Sequence, residues 1–297
     1  MSFEQDGTVF ESLFDVVATD DVGMAAAADL VFIALPQFAV REAVGRLSRV
    51  LKRSATVVLV PAPAMSEDVM RQLAAMGVNV VGFQRVPYIS RIAEYGSRVR
   101  ISSDRRVHRV AFSALPQVDV LKEEFERWFG GTVELLSSFL TFVFNNSNPL
   151  LHPSRMAVLF RNWRERVYPA NPPFYAEWTD ESSDLYIAAD REMLSVMRAV
   201  DQTGACENDY ESVIAHYGVS SAAELTDKLR SIPSFKSILS PMKEVGNGWV
   251  PDFESRYFVE DVDIGLAAIV RYGGLAHVDT PILTGLLDAC GDGIRRA

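Results

Sequence analysis

Hydrophobic positions change their rhythm about halfway along the chain. Asp29-Leu30-Val31-Phe32-Ile33-Ala34-Leu35-Pro36 is a continuous apolar run closed by a proline, the pattern of a strand covered on both faces. Val40, Ala43, Val44, Leu47, Val50 and Leu51 then recur at spacings of three and four, which predicts a helix directly after it. Thr56-Val57-Val58-Leu59-Val60-Pro61 is a second strand of the same kind. Ser66 is expected to cap a helix over 66–77, with Val69, Met70, Leu73 and Met76 facing inward and Gly77 as its stop. Val78-Asn79-Val80-Val81-Gly82-Phe83 supplies a third strand. Strands and helices alternating through short joins point to right-handed βαβ units and a parallel sheet.

After Pro87 the alternation breaks. Two short strands over 98–102 and 107–115 are separated by a charged turn, and a helix over 118–129 ending at Gly130-Gly131 leads into a strand over 132–136. These read as an antiparallel edge added to the parallel sheet. Ahead of residue 29, Phe10, Leu13, Phe14, Val16 and Val17 allow at most one weak helix or strand. From residue 138 onward the period is helical. Phe139, Phe142, Val143 and Asn146 share a face, and Pro153 suits the first turn of a helix carrying Met156, Val158, Leu159 and Trp163. A proline-rich loop over 168–173 precedes a long helix over 180–200, and Ser221-Ala222-Ala223-Glu224 is a capping box opening a helix to residue 230. Residues 231–258, with three prolines and two glycines, predict an ordered loop. Helices over 262–272, stopped by Gly273-Gly274, and over 281–289 close the chain. The expected architecture is α/β: an incomplete doubly wound, Rossmann-type parallel sheet with an antiparallel edge over 1–137, followed by an all-helical domain over 138–297.

Composition narrows the function classes. With 48% hydrophobic and 23% charged residues in 297, the chain can bury one large core or two ordinary ones. A net charge of -10 argues against nucleic acid or an anionic membrane as partner, because phosphate surfaces reward clustered Lys and Arg. Cys206 and Cys290 are too few for a disulfide framework or a thiolate metal cage. No apolar run approaches the roughly 20 residues that span a bilayer, and the first residues do not read as a signal peptide. A cytoplasmic location is the expectation.

Acid-base chemistry near neutral pH points to histidine, and there are four. His108 lies among arginines and reads as solvated; His216 and His277 read as surface residues. His152 differs, because it follows a turn of three asparagines and a serine at the junction of the two halves, a common place for a site. The competing reading is an asparagine-rich turn whose imidazole only caps a helix. A catalytic imidazole is usually oriented by a carboxylate. Glu260, Asp261 and Asp263 are candidates, although acids at a helix start are favoured by the macrodipole alone. No HExxH, paired CxxC, GxSxG or Walker spacing is present, so no metal site is expected.

Asn145-Asn146-Ser147-Asn148-Pro149-Leu150-Leu151-His152-Pro153 is similar to the asparagine and His-Pro motif of the opine dehydrogenases, the octopine/nopaline dehydrogenase group. Arg256-Tyr257-Phe258-Val259-Glu260-Asp261-Val262 resembles that family's C-terminal Arg-Tyr and Glu-Asp-Val signature. Pro87-Tyr88-Ile89-Ser90-Arg91 resembles its loop between the third strand and the antiparallel edge, and the strand ending in Pro36 also fits. The resemblance implies an NAD(P)H-dependent reductive condensation, in which the amine of an amino acid and a 2-oxo acid form an imine that accepts hydride. It further implies His152 as general acid/base and Asp261 as its partner, Arg256 and Asn148 as substrate-binding residues, and Pro36, Tyr88 and Arg91 along the NAD or NADP cofactor. A sheet edge left exposed would favour a homo-oligomer.

One part of the family pattern is missing. A dinucleotide-binding domain opens with a strand, a GxGxxG turn and a helix whose N-terminus holds the pyrophosphate, and the glycine pairs at 130 and 131, 246 and 248, and 273 and 274 do not follow a leading strand. An upstream start codon, a fragment, or natural loss of cofactor binding each accounts for this. The chain by itself is therefore expected to bind NAD(P)H weakly. Two other functions stay open: a cofactor-free binding or structural homologue, and a reductase of a 2-oxo acid that needs no amine.

Overall fold

A computed structural model of the chain describes residues 2–5, 7–11, 21–113, 118–163 and 167–294. The chain divides into two units, residues 1–139 and 140–297.

In the first unit, strands β1 (Ser2–Gln5) and β2 (Thr8–Glu11) form a hairpin, where the pattern predicts no more than one weak element; Leu13, Phe14, Val16 and Val17 lie outside the described residues. Three strands then alternate with helices: β3 (Leu30–Ile33), α1 (Gln37–Leu47), β4 (Thr56–Leu59), α2 (Ser66–Ala74) and β5 (Asn79–Phe83). After them come β6 (Tyr88–Glu94), β7 (Arg98–Asp104), β8 (Val107–Phe112), α3 (Val118–Phe129) and β9 (Thr132–Leu135). The main sheet has the order β3-β4-β5-β8-β9, in which β3, β4 and β5 run parallel, β8 is antiparallel to β5, and β9 is parallel to β8.

Several expectations change here. The antiparallel strand β8 is interior, and the edge strand β9 runs with it. The segment expected as a loop at Tyr88 to Arg91 is β6, and with β7 and the N-terminal hairpin it makes a separate sheet of order β2-β1-β7-β6. β4 is buried along its whole length as its unbroken apolar run requires, but β3 is an edge strand and leaves Phe32 43% exposed. Ser66 does not cap α2: its hydroxyl donates to the Pro63 carbonyl, and the helix begins at Ser66 itself. His108 is not solvated. Alternation along β8 sends Val107 and Arg109 to one face and His108 and Val110 to the other. His108 is 2% exposed, and its Nε2 lies 2.7 Å from the Gly130 carbonyl. The core of this unit is Val58, Val81, Phe83, Val110 and Val133 under Phe125 of α3.

The second unit contains α4 (Thr141–Phe144), α5 (Asn148–Leu159), α6 (Asp180–Val200), α7 (Ala205–Asn208), α8 (Val213–Tyr217) and α9 (Ala222–Ser231). It is not entirely helical, since β10 (Met242–Val245) and β11 (Gly248–Pro251) form a hairpin inside the segment expected as loop. A π-helix, Tyr257–Leu266, runs into α10 (Ala267–Leu275), and α11 (Pro281–Asp288) follows. Helix α6 starts where Thr179 accepts from the Ser182 N–H, with Asp180 and Glu181 in its first turn. The Ser221 hydroxyl caps α9 through the Glu224 N–H, while the Glu224 carboxylate reaches the Ser220 N–H. Gly273 and Gly274 do not stop a helix; both lie within α10. A Cβ on Gly273 would come within 3.0 Å of the Thr280 methyl and 3.3 Å of Val196, so the glycine is there for close packing. Fully buried Trp178, Tyr186, Phe160, Phe174 and Phe258 fill this core.

Candidate active site

Helix α5 starts at Asn148, with Pro149 in the first turn, where a missing N–H is harmless. Pro153 therefore falls inside the helix rather than at its start, and the Pro149 carbonyl loses its helical donor. His152, just before that proline, is 7% exposed.

Both ring nitrogens of His152 are engaged. Nδ1 lies 2.7 Å from Oδ2 of Asp261, itself 7% exposed, and Nε2 lies 2.9 Å from the Tyr175 hydroxyl. A carboxylate can only accept, so Nδ1 carries the hydrogen and the neutral ring presents its lone pair at Nε2. Burial, followed by the Tyr257, Tyr217 and Asp261 charges, raises the Tyr175 phenol far above its ordinary range, so it stays an O–H donor. The Tyr257 ring lies over the imidazole at 4.2 Å between centroids, and Phe174 meets it edge-on at 5.7 Å.

Asp261 is delivered by the π-helix, a form that recurs at functional sites. Its neighbours in the acidic run part from it. Glu260 is buried and takes Arg256 in a fork, Nε to Oε1 and Nη2 to Oε2, both 3.1 Å, and Asp263 is exposed. Among the three acids, Asp261 is the one on His152. The Arg256 side chain stays 81% exposed while held by Glu260, and that hydrogen bond raises its pKa further. Asn148 is half-buried at the first position of α5, one helical turn before His152, and its backbone N–H donates to the Asn146 side chain. His152 and Asn148 thus lie on α5, Asp261 on the π-helix and Arg256 at its N-cap, all in the second unit.

Pro36, Tyr88 and Arg91 belong to the first unit. Pro36 is exposed at the C-terminal end of β3, the side on which a doubly wound sheet takes its ligand. Tyr88 opens β6 and donates to the Phe129 carbonyl at 3.2 Å, and Arg91 is exposed further along the same strand. Pro36 immediately precedes α1, and Pro61 and Pro63 lie in the turn between β4 and α2. The Gln37 side chain at the start of α1 is already bonded to the Ala64 N–H. Among the described residues, no three His, Cys, Asp or Glu group as metal ligands, and no helix is long and apolar enough to cross a membrane.

Two residues at the site had no distinguishing pattern. Tyr175 follows Pro172-Pro173-Phe174 in a proline-rich loop, a composition that announces a pinned segment without saying what it faces. Arg155 lies three residues after His152 on α5; it is 3% exposed, and its Nε donates to the Phe174 carbonyl at 3.2 Å. Burial, and less strongly Arg230, push its pKa down to about 10 against the pull of Glu177. What marks Arg155 is its burial, which arginine rarely shows and which the sequence pattern does not carry.

Comparison with known proteins gives a consistent result. The family model described as NAD/NADP octopine/nopaline dehydrogenase, alpha-helical domain, matches residues 135–293. Octopine dehydrogenase of Pecten maximus is 25% identical over 295 residues, a match covering 94% of this chain and 73% of that protein. An octopine dehydrogenase solved with NADH and L-arginine superposes with a TM-score of 0.84 at 23% identity, covering 99% of this chain and 78% of its own. The same enzyme with NADH and pyruvate gives 0.80 at 23% identity, covering 99% and 76%.

Proposed function

The chain belongs to the octopine/nopaline dehydrogenase family, and from that premise we propose that it serves the reductive condensation of an amino acid's amine with a 2-oxo acid. The observation that carries this reading is the buried hydrogen bond between His152 and Asp261. Relatives solved with L-arginine and with pyruvate, each alongside NADH, support the substrate classes.

Condensation of an amine with a carbonyl takes a proton from nitrogen and delivers one to the departing oxygen. A single group that can hold and return a proton serves both steps, and Nε2 of His152 is that group here. Asp261 fixes the ring tautomer and stabilises the imidazolium through Nδ1. Arg256 presents its exposed guanidinium edge to a substrate carboxylate while Glu260 holds the other edge. Asn148, one turn before His152, holds substrate or orients the helix. A nicotinamide cofactor, NAD or NADP, supplies the hydride that reduces the carbon–nitrogen double bond. Pro36, Tyr88 and Arg91 are its candidate neighbours in this chain.

The test is the dependence of NAD(P)H oxidation on both organic substrates. Oxidation is expected only when a 2-oxo acid such as pyruvate and an amino acid are present together. Oxidation with pyruvate alone at an equal rate would instead make the protein a simple 2-oxo acid reductase. A chain that binds amino acid but never oxidises NAD(P)H would instead be a binding homologue without dehydrogenase activity.

A further inference from the structure

The lone pair of His152 that the proposed chemistry needs is already occupied. Nδ1 is committed to Asp261, and Nε2 accepts from the Tyr175 hydroxyl at 2.9 Å. A substrate can reach that nitrogen in two ways: the phenol swings aside, or the proton passes through it. The packing decides between them. Phe235 stacks on the Tyr175 ring at 4.2 Å and 23°, Trp178 lies parallel to it at 5.9 Å and 8°, and Phe174 meets it edge-on at 5.0 Å. Turning the phenol away would break these contacts in a side chain that is 4% exposed.

We propose that Tyr175 is a further catalytic residue, a fixed proton relay whose hydroxyl contacts the substrate oxygen while hydrogen-bonded to Nε2 of His152. This rests on the reading of the site given above. In the dehydration step the imidazolium gives its Nε2 proton to the Tyr175 oxygen as the Tyr175 hydroxyl proton moves to the hydroxyl of the carbinolamine. The carbon–oxygen bond breaks, its electron pair leaves with oxygen as water, and the nitrogen lone pair forms the carbon–nitrogen double bond of an iminium. The histidine ends neutral, the positive charge sits on the iminium, and the tyrosine regains the form in which it began. Before that, the relay runs in reverse, carrying a proton from the substrate ammonium group to Nε2 and freeing the amine to attack; a second nitrogen proton then passes to the former carbonyl oxygen, which leaves a neutral carbinolamine beside the imidazolium. The phenol never ionises in a net sense, which suits a group whose burial disfavours the phenolate.

Tyr175→Phe tests the relay, because it keeps the ring and its stacking partners and deletes only the hydroxyl. The relay predicts that kcat falls roughly 10- to 100-fold while KM for the 2-oxo acid changes less than about twofold, since the lost group acts in proton transfer rather than in uniform binding. A kcat equal to or above that of the native chain overturns it, the increase being the result expected of a cap that must leave. A second readout needs no turnover: the imidazole nitrogen resonances of His152 in a chain labelled with nitrogen-15. The Nε2 resonance should move toward that of a free lone pair in Tyr175→Phe while Nδ1 stays in place, and an unchanged Nε2 resonance overturns the proposal. Failure of the underlying reading is distinguishable, because then the native chain itself shows no amine-dependent oxidation.

Discussion

His152 and Asp261 stand 109 positions apart in sequence and 2.7 Å apart in space, so their pairing is the strongest residue-level statement about this protein. If Asp261 fixes the tautomer, Asp261→Asn should preserve packing and destroy function. The carboxamide can donate as well as accept, which allows the ring to flip its hydrogen to Nε2. The expected loss in kcat is roughly 10²- to 10⁴-fold with an unchanged thermal unfolding midpoint, measured by steady-state kinetics and by circular dichroism. A variant within a factor of about two of native kcat would assign the aspartate to structure alone. The pair was legible from the chain only through the resemblance, because acids at a helix start have an electrostatic reason to be there without any histidine. Tyr175 and Arg155 were not legible, since what marks them is burial against partners distant in sequence. His108 shows the converse error: Arg105 and Arg106 precede its strand, and Arg109 belongs to the opposite face.

At the scale of elements, the site depends on how closely the π-helix approaches the first turn of α5. A Cβ on Gly265 would lie 2.4 Å from Pro149 Cγ and 2.9 Å from Pro149 Cβ, closer than van der Waals contact allows. Gly265→Ala should therefore push the start of α5 away, carrying Asn148 and His152 with it. The expected cost is about 1–3 kcal/mol of stability by chemical denaturation together with reduced kcat. Pairing it with Pro149→Ala, which removes Cγ, should recover part of both; full native stability in the single variant would show that the approach is not tight. Local signals carried elements such as α3 and α6, whose apolar spacing and acidic first turns lie within the segment itself. They could not carry β1, which pairs with β7 at Ser2 to Arg98, or the β10–β11 hairpin, where prolines and glycines read as loop. Helix α5 was placed with the wrong start because Pro149 and Pro153 both resemble first-turn prolines, and only the packed structure shows which one is.

For the whole molecule, the family match over residues 135–293 places the chain in the octopine/nopaline dehydrogenase family, and its parallel strands β3, β4 and β5 and helical second unit share the fold of the solved octopine dehydrogenase. Cofactor affinity is the property on which the chain and its relatives should differ. The sequence holds no GxGxxG turn between a strand and a helix, so a fluorescence titration of the 297-residue chain with NADH or NADPH should give weak binding. A micromolar dissociation constant contradicts that expectation.

The most direct test of the central claim is NAD(P)H oxidation at high cofactor concentration, with amino acid and pyruvate supplied separately and then together, in the native chain and in His152→Ala. The account predicts oxidation that requires both substrates and is abolished by the substitution. Oxidation that ignores the amine, or that survives the loss of His152 at a near-native rate, would contradict it.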